Sequence, residues 1–286
     1  MTKDKLIEII KNYIKEDIDS ILEKGNNEYE IVLKYGDPYS IKTFSKEDLK
    51  DYKDRIEKLK KIYNEGQKIA PNYIIGQIEE KNLYFILWRV GKKVMRKDYE
   101  LGIQIGRFLK KYHEEFKSGT KKEWEMDFGH KIVLFFHNYY LCGYSGSKDY
   151  ILLDYLTENK HLIIDRKPTF LLDMENVFDV YVDNENRLSN INPSVKNIAD
   201  PYYQFKGLNL LDAEDKEYAK GLIKGYFEDK SPILFFKTIA IYTIVEYLFE
   251  DLKYFNKLSC EVFNEKIEYL LEKYGNFSDI YPDWYK

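Results

Sequence analysis

The period of the apolar residues changes once along this chain, and that change limits the fold more than any other feature. Before residue 90, short β-type runs at 19–23, 29–33 and 39–44 are separated by Gly25-Asn26-Asn27 and Tyr35-Gly36-Asp37-Pro38, the punctuation of an antiparallel meander. Leu6, Ile9, Ile10 and Ile14 recur at helical spacing ahead of them. Ser45 with Asp48 three residues on has the spacing of a capping box, and the charged helix it opens runs to about Glu65, where Gly66 ends it. Two further strands are expected at 73–79 and 83–90. From there the pattern turns helical: Leu101, Ile105, Phe108 and Leu109 stripe the stretch 99–113, and helices are expected at 202–211, 214–226, 233–252 and 260–274. A β-rich then α-rich order implies an α+β fold, with a small antiparallel β lobe (1–90) holding one long helix and a larger, mainly α-helical lobe (91–286).

Bulk properties narrow the function. At 286 residues the chain can bury a substantial core in one large domain or two lobes sharing a cleft. A formal charge of −4, without a dense basic stripe interleaved with aromatics, argues against nucleic acid as a partner. Two cysteines, Cys142 and Cys260, are too few for a disulfide framework or a zinc site and are expected as buried thiols in a reducing cytoplasm. His137 and His161 lack partners at ligand spacing, so no metal site is expected there. The first 17 residues alternate charges rather than forming an apolar leader. Lys237 and Glu246 interrupt the longest apolar run, 233–249, which therefore reads as a core helix and not a membrane span.

The stretch 168–201 carries the chemistry. It reads as a buried apolar segment at 169–172, an irregular loop, a strand at 180–182, a polar turn at 183–186, a second strand at 187–191 and a loop closed by Asp200-Pro201. This is similar to the catalytic segment of the aminoglycoside phosphotransferase and choline kinase family, which has a kinase-like fold. Glu158-Asn159-Lys160-His161-Leu162 matches the family's approach helix and Val180-Tyr181-Val182-Asp183 its strand. Ile191 matches the residue before the metal-binding Asp, and Ala199-Asp200-Pro201 matches Gly-Asp-Pro. The runs Gly225 to Asp229 and Tyr281 to Tyr285 resemble bacterial members.

The signature polar positions depart from that pattern. In this register Leu172-Asp173-Met174 stands at His-Gly-Asp, so Met174 occupies the catalytic carboxylate's place, Asp179 that of the Asn and Asn192 that of the metal-binding Asp. A thioether cannot accept the attacking hydroxyl's proton, and general-base help is worth roughly 10²- to 10⁴-fold. Asp179 and Asn192 look like an exchange of the family's Asn and Asp, which would keep oxygen ligands for Mg²⁺. The other reading makes them turn residues, Asp179 a cap and Asn192 an Asx turn before Pro193.

The resemblance also assigns the β lobe. Lys42 sits where the family's phosphate-contacting Lys sits, with Glu57 on the charged helix as its carboxylate partner. Gly25 would mark the phosphate-covering loop, or only a hairpin turn. Trp88 to Gly91, with Trp88 and Val90 as its named contacts, falls at the hinge that offers backbone groups to adenine. His113, at the end of the first large-lobe helix, is expected to be packed rather than catalytic. Asp127-Phe128-Gly129 spells a kinase metal motif but precedes the catalytic stretch, on an expected loop between helices, and is discounted. Glu246, Glu250, Asp251, Glu261 and Glu265 are either the wall for a small cationic, hydroxylated acceptor or a solvated face. The resemblance implies a catalytically degenerate, kinase-like protein that still binds ATP with Mg²⁺ and acts through binding, including to a protein partner. One alternative is an active ATP-dependent small-molecule kinase in which Asp173 or Glu175 fills the role that Met174 cannot; the other is a scaffold that binds neither nucleotide nor acceptor.

Overall fold

In the computed structural model, which describes residues 3–64, 66, 73–79, 82–144, 146–172, 177, 179–193, 197–210, 215–228, 231–253 and 260–286, the five early β-type runs form one antiparallel sheet. Its strands are β1 (Ile18–Gly25), β2 (Glu28–Leu33), β3 (Tyr39–Ser45), β4 (Tyr73–Ile78) and β5 (Leu83–Arg89), in the order β1-β2-β3-β5-β4. Alternation decides which side chains share a face. Ile41, Phe85 and Leu87 turn to one side, where helix α1 (Lys3–Ile10) delivers Leu6 and Ile10. Phe44, Ile86 and Trp88 turn to the other, against Tyr52 and Ile56 of helix α2 (Leu49–Asn64). Helix α2 begins one turn after the expected cap, because Ser45 closes onto Asp48 side chain to side chain at 3.0 Å while 46–48 form a turn.

The chain divides into two compact units, Met1–Arg96 with Leu172–Val195, and Lys97–Leu171 with Lys196–Lys286. The β-rich unit thus extends past the expected boundary at Val90 and takes in the stretch 172–195. Within it the short strands β6 (Lys92–Lys93) and β8 (Tyr181–Val182) pair. The expected strand at 187–191 is reduced to a bridge between Val182 and Leu188, because the chain there is fastened residue by residue to the sheet instead of forming a ladder.

The second unit is helical, with α3 (Tyr99–Glu115), α4 (Lys121–Cys142), α5 (Asp149–Asn159), α6 (Lys216–Phe227), α7 (Ile233–Lys253) and α8 (Cys260–Lys273), and one two-stranded pairing, β7 (Thr169–Phe170) with β9 (Ile198–Ala199). The run expected as a helix at 202–211 is a 3₁₀ helix, Pro201–Leu210. Helices α3 and α6 meet backbone to backbone. A Cβ on Gly102 or Gly106 would lie closer than 3.0 Å to the carbonyl oxygen of Tyr218 or Leu222, and one on Gly221 or Gly225 equally close to that of Tyr99 or Ile103. Only glycine permits this approach.

Several expectations are corrected here. Asp127-Phe128-Gly129 lies inside α4 and not on a loop; Thr120 caps this helix with a capping box to Glu123. Helix α4 shows no stripe in sequence because it is apolar on both sides, with Trp124, Phe128, Ile132 and Phe135 buried and Met126, Val133, Tyr140 and Leu141 exposed. Cys260 is exposed rather than buried. Asp200 is wholly buried: Arg166 donates to both its oxygens (2.6 and 2.9 Å), Tyr242 donates its hydroxyl (2.7 Å), and the Arg166 guanidinium lies over the Tyr202 ring. Among the described residues no helix is long and apolar enough to cross a membrane.

Candidate functional site

The parity of β3 places Lys42 on the same face as Phe44, beside α2. Directly opposite it in the β2–β3 register stands Glu28, whose Oε1 accepts a hydrogen bond from Lys42 Nζ at 2.7 Å. Both side chains are largely buried, so their attraction is screened far less than a surface pair. The expected partner, Glu57, is corrected: Tyr52, Ile56, Leu59 and Ile62 form the inner face of α2, while Glu57 is on the outer one, paired with Lys60 at 2.8 Å and 71% exposed. Glu28 escapes a sequence reading because its match to Lys42 depends on strand register, which no local motif spells.

A cavity of about 500 Å³ adjoins Lys42, lined also by Asn27, Asp48, Asp51, Tyr52 and Arg55. Gly25 ends β1 at the hairpin turn into β2. Asn26 and Asn27, with φ of 52° and 62°, are the central residues of a two-residue hairpin, and Asn27 is tied to β3 through its carbonyl, which accepts from Thr43 N at 3.0 Å.

Five consecutive residues, 189–193, are fastened to this unit. The Ser189 hydroxyl donates to Val90 O (2.7 Å), Trp88 Nε1 to Asn190 Oδ1 (3.2 Å) and the Tyr73 hydroxyl to Ile191 O (2.7 Å). Asn192 Nδ2 donates to Glu28 Oε1 (3.3 Å), and Arg55 reaches Pro193 O (3.5 Å). Lys42 and Asn192 therefore converge on one carboxylate oxygen. The expected hinge contact at Val90 is also changed: its N–H is given to Pro38 O at 2.9 Å and its carbonyl accepts from Ser189. Trp88 is buried with its indole N–H spent on Asn190. Gly91, at φ +78°, has no room for a Cβ against Ser189 Oγ and Val182 O.

Asp179 and Asn192, expected to share a metal ion, are held by different partners. Asp179 accepts from Lys93 Nζ at 2.6 Å, which raises the lysine pKa above its ordinary value, while Asn192 points its amide nitrogen at Glu28. Among the described residues no group of three or more His, Cys, Asp or Glu could hold a metal ion. A carboxylate already ion-paired and an amide turned donor-first toward a carboxylate do not fit a Mg²⁺ centre, which takes oxygen ligands. Asp173, Met174 and Glu175 lie outside the described residues.

In the helical unit His113 is packed, as expected. It is buried, Nδ1 lies 2.9 Å from the Tyr226 hydroxyl, and burial pushes its pKa down to about 3 against a weaker opposing hydrogen bond from Gln204. Of the five carboxylates weighed for an acceptor, Glu246 is paired with Lys131 at 2.6 Å and Asp251 with Lys266. Glu250, Glu261 and Glu265 are exposed.

No family model and no curated protein matches this sequence. Solved structures do match its fold over nearly the whole chain. Wild-type aminoglycoside 2'-phosphotransferase-IIIa, in its GDP complex, superposes with a TM-score of 0.55 at 16% identity, covering 97% of this chain and 100% of that one. An aminoglycoside phosphotransferase from Alicyclobacillus acidocaldarius gives 0.54 at 12% identity, covering 91% and 88%. Spectinomycin phosphotransferase, in complex with ADP and spectinomycin, gives 0.52 at 15% identity, covering 96% and 95%. With its antiparallel five-stranded lobe and its larger helical part, the chain has the two-lobed, kinase-like fold of the aminoglycoside phosphotransferases.

Proposed function

We propose that this chain binds a nucleoside triphosphate through the Lys42 face of its β-rich unit, and that its phosphotransfer chemistry is degenerate. The observation that carries the first part is the convergence of Lys42 and Asn192 on Glu28 Oε1. A carboxylate opposite the lysine fixes the ammonium ahead of any ligand, so little rotamer entropy is lost when phosphate oxygens arrive. The adjoining cavity is within the range of small-molecule sites. Nucleotides bound to the structurally similar phosphotransferases, GDP in one and ADP in another, support the ligand class.

The second part follows from the polar groups. Asn192 is an amide engaged with Glu28, Asp179 is an anion engaged with Lys93, and the sequence register puts Met174 where a proton acceptor is needed. The residues described supply no magnesium centre, so no transfer step is derived through one. Glu250, Glu261 and Glu265 are left as exposed carboxylates for a cationic, hydroxylated acceptor.

Thermal unfolding with ATP, in EDTA and in magnesium, tests both parts. A saturable rise of several degrees is expected for the wild type and its loss in Lys42→Met. No rise at millimolar ATP overturns the binding. Transfer to an amino-sugar or choline-like alcohol at a typical kinase rate, about 1–100 s⁻¹, overturns the degeneracy and restores the active-kinase reading.

A further inference from the structure

The chain leaving α3 is tied to the chain entering β7. Lys117 pairs with Thr169 in an antiparallel bridge, and Phe170 N donates to Phe116 O at 2.9 Å. The Thr169 hydroxyl, facing the carbonyls of His113 (3.2 Å) and Phe116 (2.8 Å), holds the same junction from the side. Lys117 is thereby fixed next to the segment that carries Lys167, two residues before Thr169. Both lysines line a cavity of about 400 Å³ in the helical unit, which Tyr202, Tyr226 and Phe227 line as well.

The charges around this cavity do not cancel. Lys110 is paired with Glu228 at 2.8 Å, and Glu114 lies 4.0 Å from Lys111. His113 is buried with its pKa pushed down to about 3, so it is neutral at pH 7, and Arg166 is spent on Asp200. Lys117 and Lys167 are exposed and enter no ion pair among the described residues. Two ammonium groups are left over beside an aromatic wall. Its rings meet edge to face, Tyr202 with Phe227 at 5.7 Å between centroids and Tyr226 with Phe227 at 4.8 Å, and Tyr202 and Phe227 are only half-buried. Half-buried rings leave apolar surface that another ring can cover, and the volume falls within the range of small-molecule sites.

We propose that this cavity binds an aromatic carboxylate, with the ring against Tyr202 and Phe227 and the carboxylate oxygens toward the ammonium groups of Lys117 and Lys167. A cationic aromatic is a poorer occupant, since it would add to two uncompensated positive charges. An anion without a ring is also poorer, because exposed lysines attract it only through a screened interaction. The cavity is in the helical unit and Lys42 in the β-rich one, so the site does not rest on nucleotide binding.

The full chain is titrated with indole-3-acetate at constant ionic strength, and thermal midpoint and calorimetric heat are read. Indole-3-acetamide, which keeps the ring and loses the charge, and acetate, which keeps the charge and loses the ring, are the controls. A saturable response to indole-3-acetate is expected, at least tenfold tighter than to the amide, with none to acetate. In Lys117→Gln with Lys167→Gln the acid and the amide should bind alike. No response to indole-3-acetate, equal affinity for acid and amide in the wild type, or a preference for the acid that survives in the double variant overturns the site. Should the double variant not fold, the single substitutions decide: each should weaken the acid at least threefold without changing the amide, and an unchanged affinity for the acid in both overturns the site.

Discussion

Glu28 and Lys42 face each other across two antiparallel strands, and the ammonium lies 2.7 Å from the carboxylate oxygen that also takes the Asn192 amide. In the kinase arrangement read from sequence, the lysine's partner comes from a helix. Here it comes from the neighbouring strand, so the pairing is set by sheet register and does not require α2 to move.

The first prediction tests that pairing. In a double-mutant cycle with Glu28→Gln and Lys42→Met, read by denaturant unfolding, the two changes should couple by about 1 kcal/mol, within the range for residues in direct contact. Glu57→Gln, the same chemical change on the outer face of α2, should leave stability within about 0.5 kcal/mol. Additive effects of the first two changes would show that the contact carries no energy.

A second prediction concerns Asp200. Asp200→Ala leaves the Arg166 guanidinium largely buried without its carboxylate, and breaking such a pair costs about 3–5 kcal/mol. Replacing both partners with apolar residues, Asp200→Leu with Arg166→Met, should recover most of the loss, because neither charge is then stranded. Chemical denaturation of the three variants measures this; a double variant as unstable as the single one contradicts it.

Much of the fold was legible because local signals and tertiary demands agreed. The five strands were found from alternation and turn residues, and α7 from its long apolar run. Helix α4 is not legible in the sequence, since residues such as Val133 and Tyr140 on its outer side erase the stripe that Phe128 and Ile132 would otherwise make. At the site, Lys42 and Asn192 could be named from a motif, whereas Glu28 could not, because its relation to Lys42 exists only once two hairpins are in register. The hinge reading of Val90 depends on its backbone groups, and these are spent on Pro38 and Ser189, contacts that arise from chain segments far apart in sequence.

Glycines in α3, α6 and α4 give a third prediction with opposite signs. In Gly106→Ala the new methyl meets the Leu222 carbonyl, and forcing the helices apart should cost about 1–3 kcal/mol despite better helix propensity. Gly129→Ala, within α4, meets nothing within 4 Å and should stabilise by up to about 1 kcal/mol. The sequence carried the cue, Gly102-x-x-x-Gly106 and Gly221-x-x-x-Gly225, whose matching spacings are what two helices in backbone contact require. Thermal midpoints moving in the same direction for both substitutions would contradict the close approach.

The last prediction is a pH dependence. His113 is buried against Phe205 and Tyr226, and its folded pKa is lowered to about 3 from an ordinary 6.5, chiefly because burial penalises the imidazolium. Between those two values the unfolded chain binds a proton that the folded chain does not, so stability is fully present above pH 6.5 and falls as pH drops toward 3. Each pH unit in that window removes at most about 1.4 kcal/mol on account of this one group. Carboxylates contribute their own acid loss, notably Asp183, whose pKa is lowered by the donors around it even though its burial opposes the shift. The contribution of His113 is therefore read as a difference: unfolding free energies at pH 7 and pH 5 should converge for the wild type and His113→Gln relative to their separation at pH 7. Tyr226→Phe removes the hydroxyl beside Nδ1 without changing the ring, and it should leave the pH slope in place while lowering stability by about 1 kcal/mol at both pH values. A separation between wild type and His113→Gln that does not change with pH would mean the imidazole is protonated alike in both states, contrary to its buried setting.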